Sequence, residues 1–204
     1  MAKIKYTKNE LRKQKSDLKR FKRYLPTLIL KKQQLQLEIM KLHNKTEQLK
    51  NSISQLGASV NEWVDLFAED VGIKELIKLD NVITTDDNIA GIDIPVFKEA
   101  QFKIKEYDLL STPLWVDFGV DAIKRLSTLK LEFLVFEKQI ELISEELRVT
   151  TQRVNLFEKV KIPEARENIR RINIVLGDMQ TAAVVTGKIA KRKIETQQVE
   201  LIQI

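Results

Sequence analysis

The chain has 204 residues, of which 43% are apolar, 6% aromatic and 31% charged, with six glycines and four prolines; this mix favours long helices with narrow apolar seams over a thick globular core. It contains no cysteine, which excludes a disulfide framework and a thiolate metal site, and no run of about 18 apolar residues that would span a membrane. The net charge of +6 is uneven: residues 1–50 hold 15 Lys or Arg against 4 acids, 51–160 hold 12 against 20, and 161–204 hold 8 against 5, so both ends are basic and the middle is acidic.

The basic opening, MAKIKYTKNELRKQK, lacks the apolar core of a signal peptide. From Ile4 onward a heptad runs through residue 67. Its a sites are Ile4, Leu11, Leu18, Leu25, Lys32, Ile39, Thr46, Ile53, Val60 and Phe67. Its d sites are Thr7, Gln14, Phe21, Leu28, Leu35, Leu42, Leu49, Leu56 and Trp63. Fifteen of these nineteen are apolar without a shift of phase, which predicts a coiled-coil seam about 100 Å long. Pro26 is expected to kink it at a cost of about 3 kcal/mol. Lys32 reads either as a snorkelling stem or as a register-setting polar residue. His43 is the only histidine and falls at an exposed e position, with no partners for catalysis.

Residues 70–113 lose the heptad. Ile92, Ile94 and Val96 alternate, as do Phe102 and Ile104, with Lys98, Glu99 and Ala100 between them; this predicts a small β-hairpin. Pro95 points to an edge strand, and Asp86, Asp87, Asn88 and Gly91 read as loop. The adjacent acids Asp86 and Asp87 have no calcium-ligand spacing.

A second seam follows: Leu126, Leu129, Phe133, Phe136, Ile140, Ile143, Leu147, Thr150, Val154 and Phe157. Near Pro163 its phase slips by one residue, and it resumes as Ile169, Ile172, Leu176, Met179, Ala183, Thr186 and Ala190. The proline predicts a kink or short break at 160–164, and beyond about 192 the tail is expected to fray. The segment TGKI at 186–189 imitates the end of a phosphate loop but lacks the first glycine and the final hydroxyl.

Two seams of similar length in one chain can bury each other, and a connector of about 40 residues cannot easily return along the whole length. The expected fold is therefore all-α: a long antiparallel two-helix coiled-coil hairpin, with a small β-hairpin or irregular insert at the tip opposite the termini. Its parts would be residues 1–72 (first helix), 73–113 (tip region) and 114–204 (second helix, kinked near Pro163). Leu28, Leu35, Leu42, Leu49 and Leu56 would face Leu126, Phe133, Ile140 and Leu147. No catalytic, cofactor-binding or metal-ligating constellation is present in the pattern. Periodicity alone leaves open a tethering or adaptor coiled coil, or a basic nucleic-acid-binding hairpin.

Three segments resemble one known family. RVNLFEKVKIPEARENIRRI, residues 153–172, resembles the C-terminal signature of the D subunit of V-type and archaeal-type ATP synthases, with Arg153, Val154, Asn155, Glu158, Val160, Ile162 and Pro163 in the signature's places. NIAGIDIP, residues 88–95, is similar to the family's central segment through Asn88, Gly91 and Pro95. LILKKQQL, residues 28–35, is similar to a leucine and lysine pattern of its first helix. The resemblance implies a non-catalytic central-stalk rotor shaft without cofactors. It also implies a cytoplasmic position, peripheral to the membrane and without direct insertion. The implied partners are the nucleotide-binding ring subunits (A and B) around the paired termini, and the small F subunit and the membrane-rotor adaptor, the C subunit, at the other tip; no nucleic acid is implied. A shaft that turns within a ring is further expected to avoid large apolar anchors on its outer face and to use polar, screenable contacts.

Overall fold

The computed structural model describes residues 4–62, 73–107, 112–113 and 115–202, with side chains to residue 195 except at 74 and 75. The expected seam positions Trp63 and Phe67, and the boundaries expected at 72 and 114, lie outside these residues. The described chain is mostly helical. In order it comprises α1 (Lys8–Asn61), the short α2 (Ile73–Leu76), β1 (Ile77–Ile89), β2 (Ile92–Ile104), α3 (Trp115–Asn155), a six-residue π-helical turn (Leu156–Lys161) and α4 (Ile162–Ile202).

Helix α1 starts where the chain supplies a cap. The Glu10 N–H donates to Thr7 Oγ1 at 3.2 Å, which satisfies one of the unpaired donors of the first turn. The helix then runs through Pro26 without interruption. Pro26 is exposed, so the carbonyl it leaves unpaired one turn back meets water. The Thr27 hydroxyl donates to the Tyr24 carbonyl at 2.8 Å.

The chain divides into two compact units: Leu30–Thr151, and Met1–Ile29 together with Gln152–Ile204. In the unit Leu30–Thr151, Leu35, Leu42, Ile94 and Ile143 form a buried cluster. Ile39, Phe136, Ile140 and Leu147 flank it from the helices, and Ile89, Ala90 and Ile92 from the β-strands and the turn that joins them. The a and d positions of α1 are thus its less exposed face: Leu35 and Leu42 are buried and Leu49 and Leu56 half-buried. Leu126, Phe133, Ile140 and Leu147 are half-buried on α3.

β1 and β2 pair antiparallel from Ile77↔Ile104 to Ile89↔Ile92. This differs from the expected hairpin. Both alternating runs, 92–96 and 102–104, lie on the one strand β2, and Asp86–Asn88 belong to β1 rather than to a loop. The triplet Lys98, Glu99 and Ala100 is not a turn: a register shift between Ile83 and Thr84 leaves Lys98 unpaired opposite them, a β-bulge. The reversal is made by Ala90 and Gly91, with φ of 54° and 83°. A two-residue turn with both residues left-handed matches the twist of the strands. Ala90 in that region costs about 1 kcal/mol, offset by its packing against the buried cluster and by Asn88, whose side chain accepts from the Gly91 N–H at 2.9 Å and donates to Asp93 at 2.7 Å.

The hairpin lies along α3. Its base packs Ile77 and Phe102 with Val116, Val120 and Ile123, and its turn packs near Ile140 and Ile143. A 13-residue strand extends about 43 Å, and the helix from Val116 to Ile143 rises about 40 Å, so the lengths match. A marginal two-stranded sheet is thereby given a helical floor.

In the other unit, Val154, Ile162, Ala165 and Ile172 are buried, as is Asn168. Phe157 stacks on Phe21 with ring centroids 5.3 Å apart. No break occurs at 160–164. The helix continues, and the slip of phase is taken up in the π-helical turn Leu156–Lys161, where the Ile162 N–H bonds to the Phe157 carbonyl five residues back. A π-turn carries one residue more than the α-turn it replaces, which is the size of the slip read from the sequence.

Candidate functional site

In the unit Leu30–Thr151 the functional candidates sit on the hairpin and on the helix faces beneath it. Asn88, in β1, and Gly91, in the turn, are exposed, and both serve the turn geometry. Pro95 is half-buried opposite Asp86, and its carbonyl accepts a hydrogen bond from the buried Gln139 side chain on α3. That bond fixes the strand's position along the helix, because a buried amide left unpaired costs about 1–3 kcal/mol. At the hairpin's base the Tyr107 hydroxyl donates to Asp117 Oδ1 at 2.6 Å, which pushes the phenol's pKa above its ordinary value. Lys31 and Glu146 are paired across α1 and α3 at 2.7 Å. Lys45 and Lys50 lie over the rings of Phe136 and Phe133 at 5.8 and 5.4 Å, so their stems roof the seam. The sequence singled out Lys32, which is half-buried, but the cross-helix ion pair belongs to its neighbour Lys31. Further along, a groove opens between α1 and α3, lined by Leu56 and Leu129 together with Ser52, Gln55, Asp121 and Arg125.

In the unit of residues 1–29 and 152–204, the signature residues divide by face. Val154 and Ile162 are buried, while Arg153, Asn155, Glu158, Val160 and Pro163 are exposed. Leu28 is half-buried on α1. Glu167 accepts hydrogen bonds from Arg170 and then Arg171, and these hold its carboxyl at a pKa of about 2. The 5–23 stretch keeps its lysines and arginines on the exposed side.

Polar contacts account for only part of this surface. Met179, Val184, Val185, Ile189 and Ile194 are each more than half exposed, and so are Leu30, Leu37 and Met40 in the other unit. The expectation of an outer face free of large apolar groups is therefore overturned. For α4 the reason is geometric. Asn168 donates to Gln14 at 3.5 Å, and antiparallel pairing from there puts Ile4 level with about residue 178. Beyond that level no described residue of the N-terminal segment stands opposite α4. The expected seam residues Met179, Ala183, Thr186 and Ala190 are accordingly exposed, whereas Ile169 and Leu176 are half-buried.

Among the described residues no group of His, Asp and Glu side chains could hold a metal ion. No described helix is long and apolar enough to cross a membrane. His43 is exposed, and TGKI at 186–189 is exposed α-helix rather than a phosphate-cradling loop.

Residues 10–192 match the sequence profile of a family described as the D subunit of ATP synthase. The chain is 50% identical over 192 residues to the V-type ATP synthase D subunit of Borreliella burgdorferi, covering 94% of this chain and 95% of that protein. It is 33% identical over 195 residues to the protein of the same name from Chlamydia pneumoniae, covering 94% and 93%. The Chlamydia muridarum protein, which also carries that name, is 32% identical over 197 residues, covering 95% and 97%. These matches extend the likeness seen at residues 153–172 to almost the full length, and the chain belongs to the ATP synthase D-subunit family.

Proposed function

We propose that this chain is the central-stalk shaft of a V-type ATP synthase, a non-catalytic subunit that couples ATP synthesis or hydrolysis in the nucleotide-binding ring to rotation of the membrane ion-translocating rotor. The observation that carries this reading is the family match over residues 10–192, a span that includes both long helical segments. Cross-helix contacts favour a two-helix antiparallel coiled-coil hairpin as the working form. Within one unit Lys31 meets Glu146 and Lys50 meets Phe133, and within the other Gln14 meets Asn168 and Phe21 meets Phe157. In each case the number on the second helix falls as the number on α1 rises. On this reading the chain comprises a first helix (1–72), a tip region (73–113) and a second helix (114–204).

The proposed partners follow from the surfaces. The basic stretch 5–23 and the exposed apolar side chains of α4 would face the A and B ring subunits; the signature residues Arg153, Asn155, Glu158 and Val160 lie on that part of the surface. The region of the β-hairpin, with Asn88, Gly91 and Pro95, would meet the small F subunit and the rotor adaptor, the C subunit. The shaft would sit on the cytoplasmic side, peripheral to the membrane. In turning it would then bias each ring site among its conformations, which is coupling between distant sites.

The test is reconstitution. Added to purified ring subunits and the small stalk subunit, the chain should co-elute with them, and a bead attached to it should rotate on ATP addition. Co-elution with neither, or hydrolysis without rotation of the bead, would overturn the reading.

A further inference from the structure

We infer that the π-helical turn Leu156–Lys161 is a one-residue phase adapter: it sets the azimuth of α4 against the N-terminal part of α1, and it holds one residue that the fold can lose. Three observations within the unit of residues 1–29 and 152–204 carry this. The inward-facing positions run Val154, Phe157, Ile162, Ala165, with Phe157 stacked on Phe21 and the other three buried. The step from Phe157 to Ile162 is five residues, where an α-helical seam requires four. The Ile162 N–H bonds five residues back to Phe157, so the extra residue is accommodated in the turn itself.

Pro163 explains why the turn stands here. It has no N–H, and in an α-helix its ring would press on the carbonyl of Lys159, four residues before it. Widening the preceding turn relieves that pressure, and an α-type bond at this place was unavailable in any case. The surplus falls on the outer side, where Glu158, Lys159 and Val160 are all exposed. Removing one of them would turn the five-residue step into four, and an α-helix would then carry Ile162, Ala165 and Ile172 inward, with Pro163 accommodated on its exposed face as Pro26 is within α1. Without an adapter, each lost or gained residue would rotate everything after it by about 100°.

The test reads that azimuth in the full chain, which has no native cysteine. Single variants Ile172→Cys and Asn173→Cys are alkylated under native conditions. In the parent background the thiol replacing the buried Ile172 should resist, and the thiol replacing the exposed Asn173 should react. On deleting Lys159, the first thiol should keep its protection, the second its reactivity and the chain its helicity, while amide exchange at 157–162 slows as i→i−4 bonds replace the wider ones. On inserting one alanine after Lys159, the first thiol should lose its protection. Loss of that protection in the deletion, loss of helicity there, or retained protection in the insertion would each overturn the inference.

Discussion

The two compact units solve the same problem with different materials. In Leu30–Thr151 the helices bury Leu35, Leu42 and Ile143 against a third layer, the β-hairpin, whose Ile94 completes the cluster. In the unit of residues 1–29 and 152–204 there is no sheet among the described residues. The seam is filled by one aromatic stack, small or branched side chains and the polar pair Gln14 and Asn168, and α4 then runs on uncovered. Both units bury polar groups, but with different partners: where a third layer exists, the buried amide of Gln139 is held by the Pro95 carbonyl of the sheet, and where only two helices meet, Asn168 reaches across the seam to Gln14, a polar contact of the kind that specifies alignment at some cost in stability.

The sharpest way to break this contrast is a charge in the closed cluster. Ile94→Asp should cost about 3–5 kcal/mol, since Ile94 is 2% exposed and an unpaired carboxylate there has no partner; urea unfolding followed by circular dichroism measures it. Ile172→Ala, in the other unit, removes a fully buried side chain and should cost about 2–4 kcal/mol. A larger loss at Ile172 than at Ile94 would reverse the ranking of the two cores. Gln139→Ala removes the donor to the Pro95 carbonyl and should cost about 1–3 kcal/mol, with faster amide exchange confined to β2 and the turn.

Smaller effects sharpen the picture at the surface. Met179→Gln should change stability by no more than about 0.5 kcal/mol, because Met179 is 57% exposed; binding of the ring subunits, read by co-elution, should weaken. Glu167 should give the smallest effect. Its folded pKa is lowered from 4.5 to about 2 by the hydrogen bonds from Arg170 and Arg171. Its stabilising contribution is therefore complete above the unfolded pKa near 4.5 and is lost as pH falls towards about 2. A carboxyl titration followed by NMR should show the low midpoint, and salt should raise it.

The helices were legible because their signal repeats. Sixteen of the described a and d positions of the first seam, from Ile4 to Val60, are buried or half-buried, and only Thr7 is exposed, so each heptad checks the last. The hairpin was legible in kind but not in register. Its turn uses Ala90-Gly91 in place of the Asn-Gly that marks such turns, and Ala90 tolerates a left-handed backbone only with the tertiary packing and the Asn88 hydrogen bonds that a linear reading cannot supply. Asp86, Asp87 and Asn88 look like loop residues, yet they extend β1 because their exposed side chains need nothing from the core. The one-residue slip near Pro163 was visible as arithmetic. The widened turn that absorbed it keeps Phe157 stacked on Phe21, a ring far away in the sequence that the periodicity of one seam does not reveal. The signature residues at 153–163 were identified by likeness, and their division into buried and exposed sets emerges only from the structure.

The uncovered end of α4 has a thermodynamic consequence. From Gly177 to Glu195 every position of this helix is exposed, and two glycines, at 177 and 187, each cost it about 1 kcal/mol relative to alanine. A lone helix with those glycines and several β-branched side chains is marginal in water, so ordering and capture by neighbours become one event. Calorimetry of assembly should then return a heat-capacity drop larger than a rigid-body contact of the same area would give.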